Sequence, residues 1–214
     1  RNVATECAQE YSSFATEVNL SRKLYDRIAL IDQANLTDSE KLMLDRRLKD
    51  FKKSGVDKSV EIRERVKTLN LEITEIGNSF DQAIREDTRF VETTIEKLAG
   101  LPGDYIAAKK ADEKGKIRIS TDYPDYFPVM QYAHDDNLRK KLYIASKSIG
   151  SPSNSQNLLN LIKKRHELAN LLGYENYAAL AMDGLMIKSP DRANVFLNDL
   201  GQAVKKAAKK DLSI

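Results

Sequence analysis

The sequence is poor in the residues that mark disulfide-bonded, membrane-spanning or turn-rich proteins. Cys7 is the only cysteine, so no internal disulfide is possible, which fits a reducing compartment. Tryptophan is absent, and the 5 prolines and 9 glycines favour long helices with few tight turns. No apolar run approaches the roughly 20 residues that a membrane span needs. We therefore expect no membrane partner.

An excess of charge of one sign is also missing. The 35 Lys and Arg against 32 Asp and Glu give a formal net charge of +3, and the two signs are mixed along the chain. Nucleic acid is therefore not an expected partner. The first residues show no secretory signal, which together with the single cysteine predicts a cytoplasmic location. Both ends look cut, so we expect a piece of a longer protein.

Apolar residues recur at helical spacing through most of the chain. The stripe in the first segment consists of Val3, Cys7, Tyr11, Phe14 and Val18, and we expect Cys7 to be a small core residue. Thr37 and Glu40 form a capping box that predicts a helix start. Alternation in the segment 117–121 predicts a short strand, and segment 88–93 is a second extended candidate.

These patterns predict a mainly α fold, a helical bundle with one long helix and a small β element in the middle. We divide the chain into N-terminal helical hairpins with the long helix (1–88), a small β and turn insertion (89–131) and a second helical segment (132–214). In the last segment, helices are predicted from Pro128, after Asp135 and after Ser189.

The long helix, predicted over about 56–87, carries a heptad-like seam. Its members alternate at spacings of four and three: Ile62, Val66, Leu69, Ile73, Ile76, Phe80 and Ala83. Such a seam is typical of a dimerising coiled coil. It is equally the pattern of a long helix packed against its sequence neighbours, and three amphipathic segments precede it. We favour packing within the chain.

A complete catalytic or metal site is also missing from the sequence. His166 and Glu167 begin a string that resembles the zinc-peptidase motif His-Glu-x-x-His, but the fifth position is Asn170, a poor zinc ligand. We interpret His166 as an ordinary helix residue and His134 as part of a helix cap rather than a general base. The loop from Gly100 to Gly103 lacks the Lys and Ser/Thr of a phosphate-binding loop.

Aromatic residues cluster around two prolines, and the cluster either lines a groove or, as we favour, belongs to the core. Its members are Tyr123, Tyr126, Phe127 and Tyr132. Tyr123, Tyr126 and Arg139 are visible candidates for substrate contact, but no residue is assigned to a catalytic, cofactor or metal site.

Three stretches of the sequence, taken together in their order and spacing, resemble a known family. They are residues 73–87 with 98–106, residues 116–130 with 137–143, and residues 161–178 with 189–190 and 196–197. Together they resemble the N-terminal and middle part of the thimet oligopeptidase family of zinc metallopeptidases, over about residues 56–200. That family includes neurolysin, oligopeptidase A and peptidyl-dipeptidases.

The resemblance implies a mostly helical enzyme that cuts short peptides inside a deep channel. In the family, zinc-activated water attacks the peptide carbonyl, and the glutamate of His-Glu-x-x-His acts as the base. Those residues are expected C-terminal to this chain, so zinc is implied for the parent enzyme and none for this chain. The matched helices would form scaffold and channel wall, and this chain alone is predicted to be inactive.

Two hypotheses from different classes follow. The first is a portion of a zinc oligopeptidase whose substrates are short peptides. The second is a non-catalytic helical interaction module that pairs through the seam at residues 62–83. The sequence does not determine the oligomeric state.

Overall fold

The computed structural model describes residues 2–213, which fold into helices and one small sheet, so the predicted mainly α fold class is confirmed. The strands are β1 (Phe90–Thr93) and β2 (Ile117–Ser120), and a 3-10 turn covers Ile95–Leu98. The helices are α1 (Asn2–Asn19), α2 (Arg22–Ala29), α3 (Asp38–Lys53), α4 (Val60–Glu86), α5 (Gly103–Ala108), α6 (Tyr123–Tyr132), α7 (Asp136–Lys147), α8 (Ser153–Leu172), α9 (Tyr177–Met182) and α10 (Pro190–Asp211).

The residues group into two compact units. The first unit contains the chain up to Glu75 together with everything from Asn160 onwards, and the second unit is Ile76–Leu159. The division into segments 1–88, 89–131 and 132–214 stays a prediction.

The core of the first unit lies where α4 meets α8. Val66 and Leu69 of α4 are 1% and 0% exposed. They share one apolar cluster with Leu20, Leu168, Ala169, Leu172 and Leu180. Burying a leucine side chain stabilises a fold by about 1.5–3 kcal/mol, so this seam is a main source of stability. The seam positions Val66 and Leu69 therefore pack within the chain, as the favoured interpretation predicts.

Charged side chains flank this apolar seam. Arg65 of α4 donates from Nε to Glu167 of α8 at 2.8 Å, and Lys164 of α8 lies 2.7 Å from Glu72 of α4. Hydrogen bonding by Glu167 raises the pKa of Arg65, and hydrogen bonding by Lys164 lowers the pKa of Glu72. The four side chains are about one third exposed, so they fix the register of the two helices more than they add stability.

Helix α1 forms as the apolar period predicts, but the face that packs against α4 is the polar one and not the apolar stripe. Ser12 lies within hydrogen-bonding distance of Thr74 on α4 (3.2 Å), and Glu17 accepts from Lys67 at 2.7 Å. The apolar stripe consequently points away, with Tyr11 73% and Phe14 64% exposed. The prediction that Cys7, on the same stripe, is a core residue is therefore wrong, because its side chain is exposed.

The predicted helix caps are formed as expected. Thr37 and Glu40 make both hydrogen bonds of a capping box. Asp135 caps α7 by accepting from the amide of Leu138, and Ser189 caps α10 by accepting from the amide of Arg192. Short-range sequence signals thus fix where these helices begin.

Two predicted helix bounds are wrong. The long helix begins at Val60 rather than near Val56, because Gly55 has φ +96° and Val56 is fully buried in the turn that follows. Helix α6 begins at Tyr123 rather than Pro128, with Pro124 in its first turn. Proline has no amide to donate, and the first turn of a helix needs none.

The second unit is built around the two-stranded antiparallel sheet. Phe90 pairs with Ser120 and Thr93 with Ile117. Every second residue of each strand points inward, as the alternation predicted, so Ile117 and Ile119 are 1% and 0% exposed. They join an apolar cluster with Val91, Leu98, Leu101, Val129, Ala133, Leu138 and Leu142.

One buried carboxylate, Asp125, connects β2, α5 and α6. Its Oδ2 accepts from the amide and hydroxyl of Ser120 (both 2.9 Å), and its Oδ1 accepts from the Tyr105 hydroxyl (2.9 Å) and from Lys109. Burial raises the pKa of Asp125, but these donors outweigh burial and hold it below the ordinary 3.8. Burial and Asp125 together raise the pKa of Tyr105 well above its ordinary value.

We expect Leu142→Ala to destabilise the protein by about 2–5 kcal/mol, because it removes a fully buried side chain from the core of the second unit. Urea unfolding followed by circular dichroism measures the loss. Ile144→Ala, two residues on and 53% exposed, is the matched control and should change the free energy of unfolding by no more than about 0.5 kcal/mol. Equal losses in both variants would contradict the described core.

We expect Asp125→Asn to lose about 2 kcal/mol at pH 7, because Lys109 then lacks its anionic partner. Since the folded-state pKa lies below 3.8, this stabilisation is present above that value and is lost as the pH falls through the folded-state pKa. Urea unfolding at pH 7 and at about pH 2 should therefore show a difference from wild type that shrinks in acid. Asp104→Asn, at an exposed position in α5, is the control. A difference independent of pH would refute the assignment.

Candidate functional site

The string that resembles a zinc motif lies on α8, near its C-terminal end. His166 is exposed, and its Nε2 lies 3.0 Å from the side-chain amide of Asn170. The Asn170 side-chain amide forms a hydrogen bond with each of three neighbours. Its oxygen accepts from His166, and its nitrogen donates to the backbone oxygens of Tyr174 (3.0 Å) and Glu175 (3.1 Å). Asn170 therefore holds the turn after α8, a role that a histidine ring would not fill in the same way.

The central glutamate of this string is also engaged. Glu167 accepts from Arg65, so it is held by an adjacent helix rather than left free to polarise water. Within residues 2–213, no group of three or more His, Cys, Asp and Glu side chains converges as a metal would require. The described donors therefore do not fit a catalytic zinc ion, which needs three protein ligands and an open position.

His134, considered as a general base or a cap residue, lies against a glycine turn. Its backbone amide donates to the oxygen of Ala99 (2.9 Å). Gly100 has φ +95°, and a Cβ there would lie 2.2 Å from the Tyr132 oxygen and 2.5 Å from the His134 ring. Only glycine fits this close approach. The side chain that caps α7 belongs to Asp135 instead.

The aromatic cluster is divided between core and surface. Tyr126 packs against the core of the second unit, as favoured from the sequence. Tyr123, Phe127 and Tyr132 are 76%, 49% and 51% exposed, so the core interpretation is wrong for them. Phe127 lies between the two neighbouring tyrosines, with ring centroids 5.3 Å from Tyr123 and 5.7 Å from Tyr126.

Arg139, the other visible candidate for substrate contact, has local partners. Its guanidinium donates to the backbone oxygen of Ala133 and to the carboxylate of Asp136. These bonds fasten the start of α7 to the end of α6. Substrate contact by Tyr123, Tyr126 or Arg139 stays a hypothesis.

A cleft in the first unit has a volume of about 530 Å³. Its floor is the apolar core at Leu20, Val66, Leu168, Leu172 and Leu180, and its rim is polar with both signs of charge, from Arg47, Asp50, Lys53 and Asn70. A cleft of this size holds a short peptide segment, but its lining among the described residues contains no histidine or cysteine, and its acidic residue Asp50 lies 4.0 Å from the guanidinium of Arg47.

The first unit brings a tyrosine and a carboxylate into contact, and the sequence did not predict this contact. The Tyr174 hydroxyl donates to Asp183 at 2.5 Å, and Lys53 donates to the backbone oxygen of Asp183 at 2.6 Å. Burial, followed by the bond to Asp183, raises the pKa of Tyr174 to about 12. The two residues are nine positions apart, on either side of α9, and no periodic pattern indicates such a contact.

Among the described helices, none combines the length and apolar character that crossing a membrane requires.

Comparison with known proteins identifies relatives over nearly the whole chain. The sequence profile of peptidase family M3 matches residues 129–214. Oligopeptidase A of Escherichia coli is 30% identical over 220 aligned residues, which cover 95% of this chain and 32% of that protein. Saccharolysin of Saccharomyces cerevisiae is 29% identical over 172 residues, covering 78% of this chain and 24% of that protein.

A mitochondrial intermediate peptidase of Phaeosphaeria nodorum is 27% identical over 204 residues, covering 93% of this chain and 25% of that protein. The chain thus spans about a third or less of the length of these curated relatives. The profile match and the alignments agree with the resemblance carried by the three sequence stretches. The chain therefore belongs to peptidase family M3, the thimet oligopeptidase family.

Proposed function

We propose that this chain is part of a zinc-dependent oligopeptidase that hydrolyses short peptides, and that it supplies helical scaffold and channel wall. The observation that carries the proposal is the alignment of 95% of this chain with about a third of an oligopeptidase A. The relative from Phaeosphaeria nodorum is also named as a peptidase. Peptide hydrolysis is thus the activity that family membership favours for the parent protein.

The donor set of the described residues supports a zinc site outside this chain. Asn170 takes the position of the second motif histidine and is committed to the turn after α8, while Glu167 is bound by Arg65. As the family resemblance implies, we propose that the zinc ligands and the catalytic glutamate of the parent enzyme lie C-terminal to residue 214. No zinc is expected to bind this chain.

The alternative, a module that dimerises through the seam at residues 62–83, has less support. Val66 and Leu69 are buried against α8 within the first unit, so pairing through them would require that core to open. Short peptides are accordingly the expected partners. The cytoplasmic location stays a prediction, because the relatives include proteins named as mitochondrial.

We expect the full-length parent protein to cleave a quenched fluorogenic peptide, because the missing portion supplies the metal site. Chelator should reduce cleavage to the buffer blank, and added zinc should restore it. The 214-residue chain alone should stay at the blank with or without zinc. Chelator-resistant cleavage by the parent, or chelator-sensitive cleavage by this chain, would contradict the proposal.

We expect Asn170→His to bind zinc more tightly than the natural chain, because histidines four residues apart face the same side of a helix. No hydrolysis should appear, since the third ligand is still missing and Glu167 still pairs with Arg65. Competition with a fluorescent zinc chelator measures affinity, and the same peptide assay measures turnover. His166→Ala combined with Asn170→His is the control and should abolish the gain. Turnover by Asn170→His would show that the described helices supply more of the catalytic site than proposed.

A further inference from the structure

A positively charged cleft lies beside the sheet of the second unit. Its volume is about 330 Å³, and it is lined by β1, the 3-10 turn, the residue before β2 and α7. The lining residues are Glu92, Thr93, Thr94, Lys97, Lys116 and Lys141. Three lysines and a single glutamate thus line one opening.

The acidic neighbours do not neutralise this cleft. Glu92 lies 2.6 Å from Lys116 and so compensates one lysine. Asp135 lies 3.9 Å from Lys97, but its other carboxylate oxygen is committed to the amide of Leu138. Lys141 forms no salt bridge with any of the residues 2–213. At least one positive charge is therefore left for a ligand.

The second observation is the buried hydroxyl of Thr93, one of the residues that line the cleft. Thr93 is only 6% exposed, and within the described part of the chain its Oγ1 has no hydrogen-bond partner. Thr93 also lines a smaller pocket of about 20 Å³, together with Asn137, Leu138 and Lys141. A buried hydroxyl without a partner destabilises a fold, so a group that hydrogen-bonds to it is expected there.

We propose that this cleft binds one oxyanion group, a phosphate or a carboxylate, held by Thr93 and Lys141 with Lys97 and Lys116 at the rim. The Thr93 hydroxyl donates to an anionic oxygen, and the ammonium groups supply charge without demanding one fixed geometry. The group comes either from a free inorganic anion or from the C-terminal carboxylate of a short peptide. The site does not depend on the proposed peptidase activity.

The test titrates the 214-residue chain with inorganic phosphate at constant ionic strength, followed by amide chemical shifts. Saturable shifts at Thr93, Asn137 and Lys141 are expected. Lys141→Met should weaken binding about tenfold, the loss that corresponds to one charged hydrogen bond. Lys140→Met removes the same charge from the neighbouring residue, which does not line the cleft, and should leave the Kd unchanged.

Two variants of Thr93 separate binding from folding. Thr93→Val removes the hydroxyl at nearly constant volume and should weaken binding, whereas Thr93→Ser keeps the hydroxyl and should preserve it. Lys141 is exposed, so its variant tests the site even if Thr93→Val fails to fold. Equal weakening by Lys140→Met and Lys141→Met would overturn the proposal, since it would indicate unspecific attraction of anions.

The source of the group is distinguished by an N-acetylated tripeptide with a free carboxylate and by its C-terminal amide. Binding of the free acid but not the amide, with the same loss in Lys141→Met, assigns the site to peptide ends. Binding of phosphate alone assigns it to a free anion. If neither phosphate nor the free acid shifts the cleft residues, Thr93 contacts only water and the proposal is wrong.

Discussion

The packing of α4 against α8 is the constraint on which the first unit depends. Val66 and Leu69 of one helix meet Leu168, Ala169 and Leu172 of the other, and these residues are almost completely buried. Because interiors are close-packed, this contact fixes the rotation of both helices about their axes. The position of every other side chain on α8 follows from that rotation. Arg65 and Glu167 lie at the margin of the seam and hold its register.

The same rotation decides what the zinc-like string on α8 can do. With Leu168 and Ala169 in the core, Glu167 is directed towards Arg65 and His166 towards solvent. Asn170 follows one turn after His166 and is used to close the end of the helix. A sequence that nearly matches a catalytic motif is therefore explained by packing and capping alone. These contacts are compatible with the proposal that the catalytic site of the parent protein lies outside this chain.

Local signals in the sequence predicted more of the fold than long-range ones did. The capping box at Thr37 and Glu40 and the alternation in β2 act over a few residues, so the sequence specifies them directly. The stripe containing Cys7 and Tyr11 specified a helix but not its orientation, since Ser12 and Glu17 make the contacts with α4. Asp125 was missed because an aspartate in a first helical turn is usually a solvated surface residue.

Two buried polar side chains of the second unit differ in their hydrogen bonding, and this difference supports the proposed anion site. Asp125 receives four hydrogen bonds from Ser120, Tyr105 and Lys109, so its charge is fully used within the fold. Thr93 is as inaccessible but receives and donates none through its hydroxyl within the described residues. A satisfied buried group needs no ligand, whereas an unsatisfied one beside uncompensated lysines gains by binding one. Asp125 is therefore a structural residue and Thr93 a candidate binding residue because their hydrogen bonding differs, and not because their burial differs.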